Sequence, residues 1–151
     1  MLELILIGSA MIVDTVILES LVIAAAVSLL VHCMPRIHGW HRLARTSVAL
    51  SALSLFLLAG ISAALWMWAA LFIWLGEFET MSDAIYFASV SATTVGYGDV
   101  VLSDEWKLLS GFIAANGLVL FSLNTAFLFE VLRRIGQDPA QQQNSVRHGQ
   151  P

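Results

Sequence analysis

Apolar residues dominate three long stretches of the chain, and short polar stretches separate them. Residues 4–34 are mostly apolar and are interrupted by Asp14 and Glu19, whereas residues 46–76 and 108–129 carry no charge at all. A helix rises about 1.5 Å per residue, so each stretch is long enough to cross a hydrocarbon core about 30 Å thick. The pattern therefore predicts three membrane-spanning helices, the first of which ends at Pro35.

A fourth helix is predicted over residues 81–92, between the second and third spans. It has about three turns, too few to cross a bilayer. Ser82 is the expected N-cap, and Asp83 lies where the helix dipole favours a negative charge. The predicted fold class is thus an all-α membrane protein with three transmembrane helices, a re-entrant helix and the loop after it.

Two carboxylates interrupt the first span and require an explanation. A charged side chain at the bilayer centre costs at least ~2.5 kcal/mol unless it is paired, protonated or covered by protein. We expect Asp14 at the level of the lipid headgroups. For Glu19 two readings stay open, namely headgroup level and a polar or proton-sensitive contact with another helix.

Composition and the distribution of charge place the chain in a membrane and orient it. Of the residues, 58% are hydrophobic and only 12% are charged, compared with about a quarter charged in soluble domains. The formal net charge of −4 argues against nucleic acid as a partner. Arginines gather in residues 36–45 and 133–134, whereas acidic residues gather in 77–83 and 99–105. The positive-inside rule then predicts a multi-pass plasma-membrane protein with its N-terminus outside and its C-terminus in the cytoplasm.

The stretch after the short helix contains two closely spaced glycines. Residues 94–99 read Thr-Val-Gly-Tyr-Gly-Asp, and we refer to residues 94–98 as the glycine loop. Gly96 and Gly98 can adopt positive φ at little steric cost. Alternating backbone handedness lets successive carbonyls point the same way, which creates a ladder of oxygen ligands for a bare cation. The alternative is an ordinary turn that contains Gly-Tyr-Gly.

The glycine loop resembles the selectivity filter of small bacterial-type potassium channels, which have two transmembrane helices and a pore loop. The resemblance implies that the carbonyls of Thr94, Val95, Gly96 and Tyr97, with the Thr94 hydroxyl, replace the hydration shell of K⁺. It also implies that Gly98, Asp99 and Tyr86 support the loop. One copy of the motif cannot close a ring, so four identical chains are expected to form a homotetramer in the lipid bilayer.

The resemblance covers residues 46–135 and implies a domain organisation. An extra N-terminal transmembrane helix occupies residues 1–35, and a cytoplasmic basic loop occupies residues 36–45. The pore domain occupies residues 46–135 and consists of an outer helix, a pore helix, the filter and an inner helix. A disordered polar tail occupies residues 136–151. The sequence departs from the family at Val90, where a glutamate is common, and at Phe87, where many members have a tryptophan.

Three residues of the last span are candidates for roles in a cavity or a hinge. Asn116 and Asn124 are expected to avoid lipid, so at least one should face a water-filled cavity or a neighbouring helix. Gly117 is either a hinge or a packing glycine. At the end of this span, Glu130 can pair with an arginine three or four residues later.

The sequence favours passive transport of ions over chemistry. The primary hypothesis is a potassium-selective channel that uses no organic cofactor, with K⁺ as the permeant ion. The alternatives are a weakly selective cation pore and a non-conducting membrane subunit or sensor that binds K⁺. No constellation of residues supports an enzyme, and no segment has the regularly spaced arginines of a voltage sensor.

Overall fold

Four α-helices make up the part of the chain that the structure, a computed structural model, describes, which is residues 1–33 and 42–136. Helix α1 comprises Leu2–Cys33, α2 comprises Arg42–Trp74, α3 comprises Met81–Ala92 and α4 comprises Leu108–Gly136. These residues include no strand, so the predicted all-α fold class is confirmed. Residues 36–41 of the predicted basic loop and the predicted tail beyond residue 136 lie outside the described residues, whereas residues 42–45 of that loop form the start of α2. The domain boundaries remain predictions.

Three of the helices are long and apolar enough to cross a membrane. The candidate spans are Leu2–Leu29, Thr46–Trp74 and Leu108–Arg134. Helix α3 has twelve residues and is too short for this. The predicted number of spans and the predicted short helix over residues 81–92 are therefore confirmed.

Helix α4 continues past the predicted span through an ion-pair cluster. The Nε of Arg134 lies 2.7 Å from the Glu130 carboxylate, and the Nε of Arg133 lies 3.6 Å from it. Both predicted pairings of Glu130 are thus present. Because all three side chains are exposed, they add little to stability, but they mark a polar end of the helix.

Two apolar clusters show how the long helices run relative to one another. The early part of α1 packs with the late part of α2 and the early part of α4, through Met11, Trp68, Phe72 and Ile113 among others. The late part of α1 packs with the early part of α2 and the late part of α4, through Ala26, Leu53, Leu57 and Val131. Helix α1 is therefore antiparallel to α2 and parallel to α4.

Glycines allow α1 to approach both neighbours closely. A β-carbon at Gly8 would lie 2.5 Å from the ring of Phe112 on α4, and one at Gly60 would lie 2.7 Å from the Glu19 carboxylate. Small residues at such crossings are typical of helices that associate in lipid, where van der Waals packing replaces the hydrophobic effect as the driving force. Helix α1 is thus packed closely against α2 and α4.

The two carboxylates of α1 have different surroundings. Glu19 is fully buried beside Gly60 of α2 and Asn124 of α4, so of its two readings the contact with other helices is the one present. Asp14 is exposed in the single chain. Its neighbour Thr15 contacts Asn116, about 12 Å along α4 from Leu108. The candidate span Leu2–Leu29 contains Asp14 near its middle, and the headgroup level of Asp14 stays a prediction.

The N-terminus of α3 is capped by Thr80 rather than by Ser82. Thr80 has extended backbone geometry, and its Oγ1 accepts a hydrogen bond from the Asp83 amide over 3.1 Å. The Thr80 hydroxyl donates in turn to the Asp83 carboxylate over 2.8 Å. The prediction of Ser82 was wrong because the helix begins at Met81, which makes Ser82 a residue of the first turn.

A pair of alanine substitutions tests this assignment. We expect Thr80→Ala to lower the free energy of unfolding by about 1 kcal/mol, since it removes an N-cap. Ser82→Ala, two residues later, should change it by less than about 0.5 kcal/mol. Thermal unfolding of the purified protein in detergent measures both. Equal losses in the two variants would contradict the assignment.

Candidate ion-binding site

The glycine loop begins with a helix-terminating motif that reverses the backbone. The amide of Thr94 donates to the Ser91 carbonyl over 2.9 Å, and the amide of Val95 donates to the Val90 carbonyl over 3.1 Å. These are the two hydrogen bonds of a Schellman motif, in which the residue after the C-cap is left-handed and is usually glycine. Here that residue is Thr94, with φ of 59°.

Backbone handedness alternates along the loop. Thr94, Gly96 and Gly98 have positive φ (59°, 53° and 78°), and the residues between them do not. The predicted positive φ of both glycines is therefore present, whereas the positive φ of Thr94 was not predicted. A β-branched residue in the left-handed region costs on the order of 1–3 kcal/mol, and such strain is concentrated at functional sites.

Three successive carbonyls at the start of the loop point away from α3. The amides of Thr94, Val95 and Gly96 all donate back into the last turn of α3, the latter two to the same Val90 oxygen at 3.1 and 3.2 Å. In a trans peptide the carbonyl is antiparallel to the next amide, and no cis peptide is present among the described residues. The carbonyls of Thr93, Thr94 and Val95 therefore leave the helix end on one side.

The loop lies at about half the depth of the spans. Ala92, the last residue of α3, packs its carbonyl directly against Gly117 of α4. Gly117 lies about 14 Å along the helix from Leu108, where the α4 span begins, and a hydrocarbon core is about 30 Å thick. Every residue from 93 to 99 is nevertheless exposed in the single chain, with 52% of Val95 and 73% of Tyr97 accessible.

The two asparagines of α4 face α1. Asn116 is 1% exposed and donates from Nδ2 to Thr15 Oγ1 over 2.8 Å. Asn124 is 6% exposed and lies close enough to Glu19 to interact with it, although neither side chain has a hydrogen bond of good geometry. Both therefore contact a neighbouring helix, which is one of the two alternatives that the sequence left open. Periodicity could not show this, because α4 is apolar on several faces.

Gly117 is a packing glycine in this conformation. A β-carbon there would collide with the Ala92 carbonyl, and α4 continues as a helix through the position. The absence of a side chain lets the end of α3 rest directly on α4. The hinge reading concerns a second conformation and stays a prediction.

Beyond the loop, Tyr86 and Asp99 are joined by a hydrogen bond. The Tyr86 hydroxyl of α3 donates to Asp99 Oδ2 over 2.7 Å. This bond lowers the pKa of the Asp99 carboxyl and raises the pKa of the Tyr86 hydroxyl. The contact has the geometry that the predicted supporting role requires, and the role itself remains a prediction.

The segment after the loop is anchored by Glu77, which follows α2. The Glu77 carboxylate accepts hydrogen bonds from the amide of Ser103 over 2.7 Å and from its hydroxyl over 2.8 Å. Behind α3, Phe87 packs edge-on against Phe72 with ring centroids 5.3 Å apart. The loop is thus held at its base by α3 and α4, and the returning chain is tied to the end of α2.

The chemistry of the loop is that of main-chain oxygens. Among the described residues, no group of three or more His, Cys, Asp or Glu side chains could hold a metal ion. Aligned carbonyls are hard oxygen ligands that suit a weakly hydrated cation. A single chain supplies only one side of such a site.

Comparison with known proteins gives one match. A family model described as an ion channel matches residues 60–134, which include the second half of α2, all of α3, the glycine loop and nearly all of α4. The first helix precedes this match. Searches of curated proteins and of solved structures gave no significant match.

Two glycines of α4 provide a matched test of the contact between α3 and α4. A β-carbon at Gly117 meets the Ala92 backbone, whereas one at Gly111 meets nothing within 4 Å. We expect Gly117→Ala to destabilise the protein by about 1–3 kcal/mol or more, as overpacking does. Gly111→Ala should leave stability unchanged or raise it by up to about 1 kcal/mol. Thermal unfolding in detergent measures both, and a harmless Gly117→Ala would refute the close contact.

The Tyr86–Asp99 bond should stabilise the protein over a wide pH range. Because the folded pKa of Asp99 lies below the ordinary 3.8, its contribution is present above pH 3.8 and is lost as pH falls through the folded value. Because the folded pKa of Tyr86 lies above the ordinary 10.0, the stabilisation from Tyr86 is present below pH 10.0 and is lost as pH rises through the folded pKa. We expect Tyr86→Phe to lower the melting temperature equally at pH 6 and pH 8. In an Asp99→Ala background it should have no further effect, and an unchanged effect there would show that the bond is not responsible.

Proposed function

Residues 60–134 place this chain in the ion channel family, and from that membership we propose that it is a potassium-selective channel which conducts K⁺ passively. Four copies would surround one axis, with a glycine loop from each copy lining the pore. The permeant ion is the only ligand the proposal requires, without an organic cofactor. Conduction, rather than catalysis, is the activity.

The observation that carries the proposal is non-helical backbone at half the depth of the spans. Bare backbone at that depth is tolerated only inside protein or beside a water-filled cavity. The glycine loop is exposed in the single chain, so other chains or water must cover it. A ring of identical chains around an aqueous path supplies both coverings, since neighbouring chains pack the Val95 and Tyr97 side chains while water and ions meet the carbonyls.

The alternating backbone supports K⁺ as the ion. Left-handed φ at every second position brings successive carbonyls to one side, and the amide hydrogen bonds direct the carbonyls of Thr94 and Val95 away from α3. In a four-fold ring these carbonyls, with those of Gly96 and Tyr97 and the Thr94 hydroxyl, replace the water around K⁺. Ions then advance from one ring of oxygens to the next by mutual repulsion.

The electrostatics around the loop suit entry of cations. The segments flanking it carry Lys107 and six acidic residues, which are Glu77, Glu79, Asp83, Asp99, Asp104 and Glu105. Asp104 forms an exposed ion pair with Lys107 at 2.9 Å. Four copies of this excess of negative charge would raise the local concentration of cations at the mouth, most strongly at low ionic strength.

The orientation of the chain in the membrane follows from the distribution of acidic residues and arginines. We propose that the loop opens to the outside of the plasma membrane and that Arg133 and Arg134 face the cytoplasm. Because α1 is parallel to α4, the N-terminus would be external. Because the chain would cross the membrane three times, which is an odd number, residues before α1 and residues after α4 would lie on opposite sides.

A pair of glycine substitutions tests the function in liposomes. Gly98 and Gly76 have nearly the same positive φ, 78° and 76°, and a β-carbon at either meets nothing within 4 Å. Alanine therefore costs both sites about 1–2 kcal/mol of backbone strain, but only Gly98 lies in the loop. We expect the wild type and Gly76→Ala to pass K⁺ in strong preference to Na⁺, and Gly98→Ala to lose this preference.

The outcomes separate the three readings of the chain. Equal K⁺ and Na⁺ flux through the wild type would indicate a weakly selective cation pore. Absence of flux together with thermal stabilisation by K⁺ would indicate a non-conducting membrane subunit or sensor that binds K⁺. Absence of both effects would contradict the proposal in every form.

A further inference from the structure

Helix α1 precedes the family match, yet it has a polar contact with the helix that supports the glycine loop. The Asn116 amide of α4 donates to Thr15 Oγ1 over 2.8 Å, and the Thr15 hydroxyl lies 2.8 Å from the Met11 carbonyl, to which it can donate in turn. Thr15 is fully buried and Asn116 is 1% exposed. Apolar side chains dominate the rest of this helix pair, so the contact is one of its few directional interactions.

The contact lies in the turn of α4 on which α3 rests. Asn116 is followed by Gly117, whose missing side chain makes room for the carbonyl of Ala92. Two residues after Ala92, Thr94 adopts its left-handed conformation and the loop begins. A continuous series of contacts therefore runs from Thr15 through Asn116 and Gly117 to the end of α3.

Close packing makes this series sensitive to small shifts. Because backbone meets backbone at Gly117, a movement of that turn cannot be absorbed by a flexible side chain. Apolar contacts tolerate sliding and rotation of a helix, whereas a buried amide that loses its partner does not. The hydrogen bond to Thr15 therefore fixes the rotation of α4 at the level where the loop is held.

We propose that Thr15 is a positioning residue for the glycine loop, acting through Asn116 and the contact of Gly117 with Ala92. The first helix would then belong to the machinery that shapes the ion path. The consequence for K⁺ rests on the proposed function, whereas the consequence for loop geometry does not.

The second polar contact between the same helices provides a comparison. Glu19 and Asn124 also lie between α1 and α4, but Asn124 is about 10 Å further along α4 than Gly117. It does not touch the turn that carries α3. A change there tests whether any disturbance between α1 and α4 reaches the loop.

Substitutions at Thr15 separate the hydroxyl from the shape of the side chain. Thr15→Val keeps the shape and removes the hydroxyl, and Thr15→Ser restores the hydroxyl. Ser20→Ala removes an exposed hydroxyl of α1 that bonds only within its own helix, and Glu19→Gln alters the distant contact. Thr15→Val combined with Asn116→Leu leaves no amide unpaired, so it should fold even if Thr15→Val does not.

The first readout is amide exchange in the loop of the full-length protein. We expect Thr15→Val, or the double variant, to speed hydrogen–deuterium exchange of the amides of residues 94–96 by about 3- to 10-fold, as expected for the loss of one hydrogen bond. Thr15→Ser, Ser20→Ala and Glu19→Gln should stay close to the wild type. Unchanged exchange in Thr15→Val, or equal acceleration in Glu19→Gln, would overturn the proposal.

The second readout is the K⁺ concentration that gives half of the maximal thermal protection. We expect Thr15→Val to raise it about 3- to 10-fold and Thr15→Ser to return it to the wild-type value. A lower melting temperature with no change in this concentration would mean a merely structural role and would overturn the proposal. If the wild type shows neither protection nor flux, the proposed function fails, and the amide exchange still decides the role of Thr15.

Discussion

The structure depends on one constraint, which is that unpaired backbone in a membrane must be covered by protein or water. Helix α3 ends halfway across the spans, and the chain returns without forming another helix. Each amide at the start of the loop is satisfied by the last turn of α3, so the polar groups left over are carbonyls. A surface of aligned acceptors at this depth is stable only opposite water or cations. The arrangement of the long helices serves to hold that surface.

Glycines make the arrangement possible because they remove side chains where backbones cross. Gly8, Gly60 and Gly117 each lie where a β-carbon would strike a neighbouring helix. The first two bring α1 against α4 and α2, and the third brings α3 against α4. Since the helices are apolar on most faces, these close approaches, together with a few buried polar contacts, determine which face meets which. Helix α1 is consequently an integral part of the bundle.

The sequence predicted the elements well and their mutual contacts poorly. Hydropathy and helix length located the spans and α3, since both depend on local composition, and the motif predicted positive φ at Gly96 and Gly98. The N-cap was assigned two residues late, because both Thr80 and Ser82 can cap a helix and only the start of the helix decides between them. The left-handed Thr94 was missed, because its conformation is set by the Schellman motif rather than by its own preference.

The faces of α1 and α4 could not be read from the pattern for a physical reason. A helix in lipid is apolar nearly all round, so its periodicity does not distinguish a neighbouring helix from lipid. Asn116 and Asn124 were therefore recognised as residues that avoid lipid, but not as partners of Thr15 and Glu19 on α1. Those pairings depend on how α1 is rotated and shifted against α4, which only the packed structure shows.

The most direct test of the central claim is an experimental structure of the full-length protein in K⁺ and, separately, in Tl⁺, whose anomalous scattering locates the ion. We expect four chains around one axis, with Tl⁺ in a row between rings formed by the carbonyls of residues 94–97. Residues 94–98 far from any symmetry axis, or on an axis with their oxygens turned away from it and no bound ion, would contradict the account.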